Sequence, residues 1–358
     1  MEKRPMLITD VRITRLKMPR VDPTWRTASY ASGSVESFIL EVDADGMTGI
    51  GGTAAHPKSM PAEKLAAELN GPVKAALLRS DALSGNLIRD AIRRADVDAR
   101  SLIAADLALY DLLGKAARLP CHALWGGALR PRVPIDRMVG IKAPDDLVAH
   151  VGQLLEQGIT HMKVKVGTGI AEDVERVRAL RRAFAERISI GIDGNGAYTP
   201  DEAITLSRSL EPYNVLLIEQ PINYRDLDGL ARVTAASPIP IMADQCVEDA
   251  QSALDVCRRK AAHVVSVKLT KMGSIDECRR VFDVCAAFGL RVHLGGSAGP
   301  AVVDIAAAHL AASCAAVDDD CEVGEFQALS GEPTSGAVVK NGCVEIGDAP
   351  GWGLSLGR

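Results

Sequence analysis

The sequence lacks several features, and each absence excludes a class of protein. No stretch is long and apolar enough to span a bilayer, and the first residues have no apolar core of signal-peptide length. The eight cysteines are scattered without a Cys-x-x-Cys pair, which argues against a disulfide framework or a cysteine-bound zinc. A long basic run is missing too, and the formal charge is −5. We therefore expect a cytoplasmic protein that binds neither nucleic acid nor membrane.

The first 130 residues have their own pattern of elements. Leu7–Lys17 and Ser37–Val42 are typical of strands, and Asp43–Gly46 is a hairpin-turn signal. Residues 61–117 then have helical spacing of their apolar side chains. Strands followed by helices predict an α+β module.

A second pattern, of apolar strand, polar loop and amphipathic helix, repeats from about residue 131. Polar residues that end the strand-like runs recur every 24 to 28 positions, the length of one βα unit. We therefore predict a (β/α)7β TIM-type barrel over residues 131–325. Residues 1–130 would form an N-terminal α+β capping domain, with 326–358 packing back on it. The first, seventh and eighth barrel strands are expected at Val133–Ile135, Arg291–Leu294 and Cys321–Glu325.

Several of the predicted barrel strands contain a charged residue or finish with one. Lys163 and Lys165 alternate within one apolar strand and so point to the same side. Carboxylates end the next three strands, and a lysine ends the strand after those. These four residues are Asp193, Glu219, Asp244 and Lys268. Because the carboxyl ends of barrel strands converge on one mouth, we expect all six side chains to meet there.

Three carboxylates brought close together require a cation. Oxygen ligands without neighbouring histidine or cysteine favour Mg²⁺ or Mn²⁺ over zinc. Lysines from the second and sixth strands would flank an acid held by that metal. This arrangement suits removal of the proton α to a carboxylate: the metal stabilises the enediolate, and a lysine of lowered pKa takes the proton.

The same residues, with others outside the barrel, resemble a known family. The hairpin glycines Gly46, Gly49 and Gly51, the helix at 105–111, and the ordered charges from Lys163 to Lys268 are similar to the enolase superfamily. The similarity is to its branch of muconate-lactonising enzymes, dipeptide epimerases and N-succinylamino acid racemases. The resemblance implies Asp193, Glu219 and Asp244 as Mg²⁺ ligands and Lys165 and Lys268 as acid/base residues. It implies that Lys163 lowers the pKa of Lys165 or meets the substrate carboxylate.

The chain departs from the family pattern in three places. The family usually has Glu after the third carboxylate, where this chain has Gln245. The loop 295–300 lacks the Glu found in many relatives. The Asp-x-Asp of dipeptide epimerases is missing from Cys321–Glu325, although an acidic run, Asp318–Asp320, precedes it. Specific residues therefore support neither dipeptides nor N-succinyl substrates.

Further candidate residues surround the predicted site. Gly295–Gly299 would form either an anion cradle or a plain βα turn. The loop Pro23–Ser34 carries Trp25 and Tyr30, which would either close over the substrate or simply pack. The residues assigned to substrate binding or to support of the site are Asn195, Gln245, Gly295, Gly296, Ser297, Trp25 and Tyr30.

The favoured function is a Mg²⁺-dependent isomerase, either a racemase/epimerase or a cycloisomerase, acting on a small-molecule carboxylate. The alternative is a Mg²⁺-dependent dehydratase of a hydroxy or hydroxyproline-type acid. Less favoured are a vestigial non-catalytic barrel, of which Gln245 would be the first mark, and a Schiff-base aldolase using Lys268. We also expect a homo-oligomer.

Overall fold

The N-terminal part of the protein begins with an antiparallel three-stranded sheet. The structure, a computed structural model, describes residues 5–317 and 320–357. The sheet order is β1-β2-β3. Asp45 and Gly46 take positive φ angles of 48° and 73° in the tight turn between β2 and β3, as a two-residue hairpin requires. The strands are β1 (Ile8–Pro19), β2 (Ser34–Ala44) and β3 (Met47–Ala54).

Helices cover this sheet, and the longest of them packs directly on β3. A Cβ atom on Gly51 would lie 1.9 Å from the carbonyl oxygen of Ala104, and one on Gly49 would lie 2.3 Å from that of Ala108. Only glycine permits this backbone approach. The helices are α1 (Ala62–Glu68), α2 (Lys74–Leu77), α3 (Gly85–Arg94) and α4 (Ala99–Ala117), with a π-helical segment at Leu69–Val73. The predicted α+β module is therefore confirmed.

Seven parallel strands form the second sheet, in the sequential order β5 to β11. Their inner and outer side chains alternate: Val164 and Ile192 pack in the apolar core, while Lys163 and Lys165 point to the barrel interior and are also buried. The strands are β5 (Asp136–Val139), β6 (His161–Lys165), β7 (Ser189–Asp193), β8 (Leu217–Glu219), β9 (Ile241–Ala243), β10 (Val264–Val267) and β11 (Arg291–Leu294).

Described residues on either side of positions 318–319 close the barrel. Cys321 pairs in parallel with Ile135, and Val317 pairs with Val292 of β11. The amide of Asp136 donates to the carbonyl of Cys321 at 2.8 Å. The barrel is thus confirmed, with an eighth position that lies slightly earlier in the chain than expected, because Glu325 begins a short 3₁₀ helix.

Helices connect the strands on the outside of the barrel. Thr199 forms a capping box with Glu202 at the start of the helix that follows β7. Ser274 forms half of one: its side chain accepts from the amide of Glu277, whose carboxylate accepts instead from Ala250. The helices are α5 (Pro144–Glu156), α6 (Ile170–Phe184), α7 (Pro200–Leu210), α8 (Leu227–Ala236), α9 (Ala250–Arg259), α10 (Leu269–Met272), α11 (Ile275–Ala287) and α12 (Ala301–Ser313). Over residues 5–317 and 320–357, none of the helices could cross a membrane.

The placement of the first barrel strand at Val133–Ile135 was wrong. Residues 132–134 form β4, which pairs antiparallel with β14 near the C-terminus, and the barrel strand follows immediately at Asp136. The C-terminal segment also contacts α4, where the Trp352 amide and indole donate to Asp111 and to the carbonyl of Leu107. The remaining strands are β4 (Arg132–Pro134), β12 (Thr334–Ser335), β13 (Val339–Lys340), β14 (Cys343–Glu345) and β15 (Ser355–Leu356).

Candidate active site

Three charged residues lie side by side at the carboxyl ends of β6, β7 and β8. Lys165 is in register with Asp193, and Asp193 is in register with Glu219. Asp244 directly follows β9, and Lys268 directly follows β10. The parallel pairing therefore brings the five residues to one end of the barrel, as the sequence predicted.

Each carboxylate of this group contacts a lysine. Lys165 Nζ donates to Asp193 Oδ2 at 2.5 Å. Lys268 Nζ lies 2.9 Å from Asp244 Oδ2 and 3.6 Å from Glu219 Oε1, so one ammonium contacts two of the carboxylates. Lys163 lies deeper, wholly buried, and forms ion pairs with both Glu219 and Glu322. Unlike Lys165 and Lys268, it has no surface on the large cavity described below.

The pKa values follow these contacts. Burial raises the pKa of Asp244, but Lys268 and Lys271 outweigh it and hold that pKa well below the usual range. For Asp193, burial is likewise outweighed by the lysines, and the pKa falls. Burial prevails at Glu219, whose pKa is raised. The pKa of Lys268 is lowered by burial but raised more by Asp244 and Glu219, so it lies above its ordinary value. The expectation of a lysine with a lowered pKa was therefore wrong for Lys268 in this geometry, because its carboxylate neighbours stabilise the ammonium form.

The three carboxylates fit a hard divalent cation. They carry only oxygen donors, they are buried, and Glu219 Oε1 accepts no hydrogen bond. Both oxygens of Asp193 accept hydrogen bonds from Asn195. The backbone nitrogen of Asn195 lies 2.8 Å from Oδ1, and its Nδ2 lies 3.0 Å from Oδ2. Carboxylate oxygens are the ligands that Mg²⁺ prefers.

A second polar cluster lies inside the barrel beneath this group. Asp136, His293 and Glu322 are the one set of three ligand-type side chains, among the described residues, whose ligand atoms lie within 4.8 Å of one another. His293 Nε2 lies 3.9 Å from both carboxylates. Burial and nearby Asp320 raise the pKa of Asp136 to about 8, and burial lowers that of His293 to about 4. His293 is thus a buried residue of the barrel interior.

A cavity of about 880 Å³ opens above the carboxylates and extends to the N-terminal domain. Its floor includes Lys165, Asp244 and Lys268. Most of the residues assigned to substrate binding from the sequence also line it: Asn195, Gln245, Gly296, Ser297, Trp25 and Tyr30. The loop 23–34 reaches the barrel, because the Arg26 carbonyl accepts from the amide of Ile141 at 2.9 Å.

Gly295 has a steric role at the site. A Cβ atom there would lie 2.7 Å from Lys268 Cε and 2.5 Å from Ser266 Oγ, so only glycine leaves room for the lysine stem. Gly296 donates its amide to Glu322, and Ser297 bonds to the Thr270 hydroxyl at 2.9 Å. The loop 295–299 therefore packs closely around Lys268.

Sequence reasoning missed several residues near the site. Lys271 donates to Asp244 Oδ1 at 2.7 Å and lines the cavity. Glu322 was not recognised, although it is a carboxylate within the predicted eighth strand, Cys321–Glu325, which is a usable signal. Arg20 and Arg100 of the N-terminal domain also line the cavity. Of the acidic run considered for dipeptides, Asp318 and Asp319 lie outside the described residues.

A parallel barrel with carboxylates and lysines at its mouth, beside an α+β domain, is the arrangement of barrel enzymes whose active sites lie at the carboxyl ends of the strands. The chain belongs to the mandelate racemase/muconate lactonizing enzyme family of the enolase superfamily. The family model for the enolase C-terminal domain-like region matches residues 146–358. The model for the mandelate racemase/muconate lactonizing enzyme N-terminal domain matches residues 8–126.

Relatives of known activity are isomerases. A hydrophobic dipeptide epimerase from Enterococcus faecalis is 36% identical over 258 residues, 70% of this chain and 72% of that protein. An N-succinylamino acid racemase from an Amycolatopsis species is 31% identical over 304 residues, 81% of this chain and 79% of the relative. Muconate cycloisomerase 1 from Rhodococcus opacus is 30% identical over 270 residues, 74% and 72% of the two chains. These relatives support the prediction that the protein is an enzyme, and they do not favour the alternative of a dehydratase.

Solved structures agree with the fold. The crystal structure of the Enterococcus faecalis dipeptide epimerase, in complex with Mg and the dipeptide L-Leu-L-Tyr, superposes with a TM-score of 0.93 at 29% identity. The match covers 98% of this chain and all of that one. The predicted capping domain and barrel architecture is therefore confirmed.

Proposed function

We propose that the protein is a Mg²⁺-dependent isomerase that removes the proton α to a substrate carboxylate and returns a proton to the same carbon. The observation that carries this proposal is the position of two lysines. Lys165 and Lys268 enter one cavity from β6 and from the end of β10, which are the second and sixth strands of the barrel and lie on opposite sides of it. The strands between them carry the three carboxylates.

The residues that would hold the metal are Asp193, Glu219 and Asp244. When bound there, Mg²⁺ would supply positive charge to the substrate carboxylate and so acidify its α-hydrogen. The choice of these residues over the lower cluster around His293 is supported by access, because Asp244 lines the cavity whereas none of the lower three residues does.

The two lysines would then work on opposite faces of the α-carbon. A neutral Lys165 or Lys268 takes the α-proton, and the ammonium on the other side donates its own proton to the opposite face, which inverts the configuration. Asp193 and Asp244 hold the two amine nitrogens through the hydrogen bonds of 2.5 and 2.9 Å. Inversion needs both lysines, whereas cycloisomerisation, the reaction of the Rhodococcus relative, needs one.

Proton exchange distinguishes these reactions. We would incubate each enantiomer of a panel of N-acyl amino acids and other α-substituted acids in D₂O with Mg²⁺ and follow the α-hydrogen by NMR. Wild-type enzyme should exchange both enantiomers of its substrate. Lys165→Ala should retain exchange of the enantiomer that Lys268 serves, and Lys268→Ala the other. Inversion should fall by about 10²- to 10⁴-fold in each variant.

Lys58→Ala is the matched control, because Lys58 is an exposed lysine at the mouth of the same cavity. It should leave exchange of both enantiomers intact. If both catalytic variants lose exchange of the same enantiomer, and the other is never a substrate, the two-base reaction is refuted and a one-base cycloisomerase replaces it. Absence of α-exchange across the panel would refute the proposed function itself.

We also propose a small-molecule carboxylate as the ligand, a homo-oligomeric assembly and a cytoplasmic location. The relatives named for dipeptides and N-succinylamino acids support the first of these. Light scattering coupled to gel filtration tests the assembly, and a single species of monomer mass would contradict it.

A further inference from the structure

Arg20, which directly follows β1, is a buried cation without an ion pair. Its side chain lines the large cavity, yet the residue is only 9% exposed and its Nε has no hydrogen-bond partner. No carboxylate lies within ion-pair distance of it in the described parts of the chain. Its guanidinium stacks on the Trp25 ring with 4.0 Å from Cζ to the ring centroid. Stacking compensates only part of the cost of burying such a charge.

Arg100, in the first turn of α4, is a second, largely buried cation in the same cavity wall, and its one ion pair among the described residues is long. Its closest carboxylate among described residues is Asp98, with Oδ1 at 3.9 Å. That oxygen already accepts from the backbone amide of Arg100 at 2.8 Å, because Asp98 caps the helix. The guanidinium makes no hydrogen bond within the described chain, and its side chain is 14% exposed. Its donors are therefore available to the cavity.

A row of three aromatic rings, which begins beside Arg20, lines the same cavity as the two arginines. Trp25 and Tyr30 have centroids 5.6 Å apart, and Tyr30 and His56 have centroids 5.3 Å apart, edge to face. Arg20, Arg100 and Lys268 all act electrostatically on the Tyr30 hydroxyl, each opposing the rise in its pKa that burial causes. The wall that carries both guanidiniums thus faces the same space as Lys268.

The carboxylates that line the cavity do not neutralise this wall. Glu36 pairs with Arg15 at 2.9 Å outside the cavity. Asp98 caps α4, and Asp244 contacts two lysines on the floor. Glu248 is exposed at the mouth. A ligand ammonium group would therefore find no buried, uncommitted carboxylate among the described residues of this cavity, whereas an anion would find two guanidiniums.

We propose that Arg20 and Arg100 form a subsite for a second anionic group of the substrate, remote from the carboxylate beside the α-carbon. The substrate class is then a dicarboxylic acid whose second carboxylate lies on an acyl or side-chain arm. This inference rests on the proposed function, because it assigns the substrate class of the same site. Guanidinium groups suit this role, since they bind carboxylates through paired hydrogen bonds.

The test compares acids that differ only in the second charge. N-succinyl-L-alanine is paired with N-succinamoyl-L-alanine, and N-acetyl-L-glutamate with N-acetyl-L-glutamine, in the D₂O exchange assay with Mg²⁺. At least one dianion should exceed its neutral amide analogue by about 10- to 100-fold in kcat/KM, the range of a charge-assisted hydrogen bond. Arg100→Met should remove most of this preference by raising KM for the dianion, and Arg100→Lys should restore part of it.

Two further variants sharpen the result. Arg20→Lys keeps the buried charge but loses the planar fork, and it should weaken binding of the dianion, measured directly by titration calorimetry. Lys58→Met removes an exposed cation at the mouth and should change the preference by less than about fivefold. If the neutral analogues exchange as fast as the dianions, or if Arg100→Met affects both members of a pair equally, the subsite is refuted while the proposed isomerase stands. If no acid exchanges its α-hydrogen, the proposed function is refuted, and the subsite that rests on it is refuted with it.

Discussion

One buried imidazole, that of His309 in α12, should make a measurable contribution to the pH dependence of stability. His309 is 3% exposed, and its Nδ1 accepts from the amide of His122 at 3.4 Å. Its ring meets the edge of Trp352 at 5.6 Å and lies 5.2 Å from the ring of His122. Burial, with a smaller contribution from His122, lowers the pKa of His309 to about 3.

The sign of the effect follows from the two end states. In the unfolded chain this imidazole titrates near pH 6.5, so below that pH the unfolded state binds a proton that the folded state does not. The contribution of His309 to the free energy of unfolding is fully present above about pH 6.5. It is lost as the pH falls from 6.5 toward 3. From pH 7 to pH 5 this histidine should reduce the free energy of unfolding by about 2 kcal/mol.

The measurement is urea unfolding at pH 7 and pH 5 for wild type, His309→Gln and His309→Phe. Both variants remove the titrating group, but they replace the ring packing differently, so their stabilities at pH 7 should differ. Their loss of stability between pH 7 and pH 5 should nevertheless be the same, and smaller than that of wild type by about 2 kcal/mol. If both variants keep the full wild-type pH dependence, His309 does not carry the effect and the reasoning fails.

Two further predictions concern the metal and the domain packing. Glu219→Gln should weaken Mg²⁺ or Mn²⁺ binding by about 10-fold or more in calorimetry, whereas Asp136→Asn in the lower cluster should leave it unchanged; the reverse result would place the ion at the lower cluster. Gly51→Ala should lower the free energy of unfolding by about 1 to 3 kcal/mol or more, because its methyl group would lie 1.9 Å from the Ala104 carbonyl oxygen. Gly71→Ala, with no atom within 4 Å of the added methyl, is its control, and equal losses in the two variants would contradict the packing argument.

The elements that the sequence predicted well are those with a local signal. The seventh strand was placed at Arg291–Leu294 to the residue, because it is a single apolar run between a helix and a glycine loop. The first strand was misplaced because two short strands follow each other without a turn, and only the distant C-terminal strand β14 distinguishes them. Strand pairing over such separations leaves no trace in local periodicity.

The residues of the candidate site also divide into those with a local sequence signal and those without one. Asp193, Glu219 and Asp244 were found because each ends an apolar run, and the period of the βα unit brings such ends together. Arg20 and Arg100 could not be assigned to the cavity, because their position depends on how the N-terminal domain packs on the barrel. A buried charge without a partner becomes visible only when all of its neighbours are known.

The contacts of the carboxylates connect the metal and the lysines. In the present geometry Asp193 accepts from Lys165, while Asp244 and Glu219 share Lys268. A carboxylate lone pair that ligates a cation cannot also accept a lysine hydrogen bond, so a metal at these oxygens must displace at least some of the ammonium contacts. The displaced lysine nitrogens already line the cavity and would turn their donors or lone pairs toward its contents. Lys163 differs, because Glu322 provides it with a second carboxylate below the site. We infer that Glu322 keeps Lys163 paired within the barrel when Glu219 changes its partner. Of the three lysines in or directly after the barrel strands, Lys165 and Lys268 would then be the two that face the cavity.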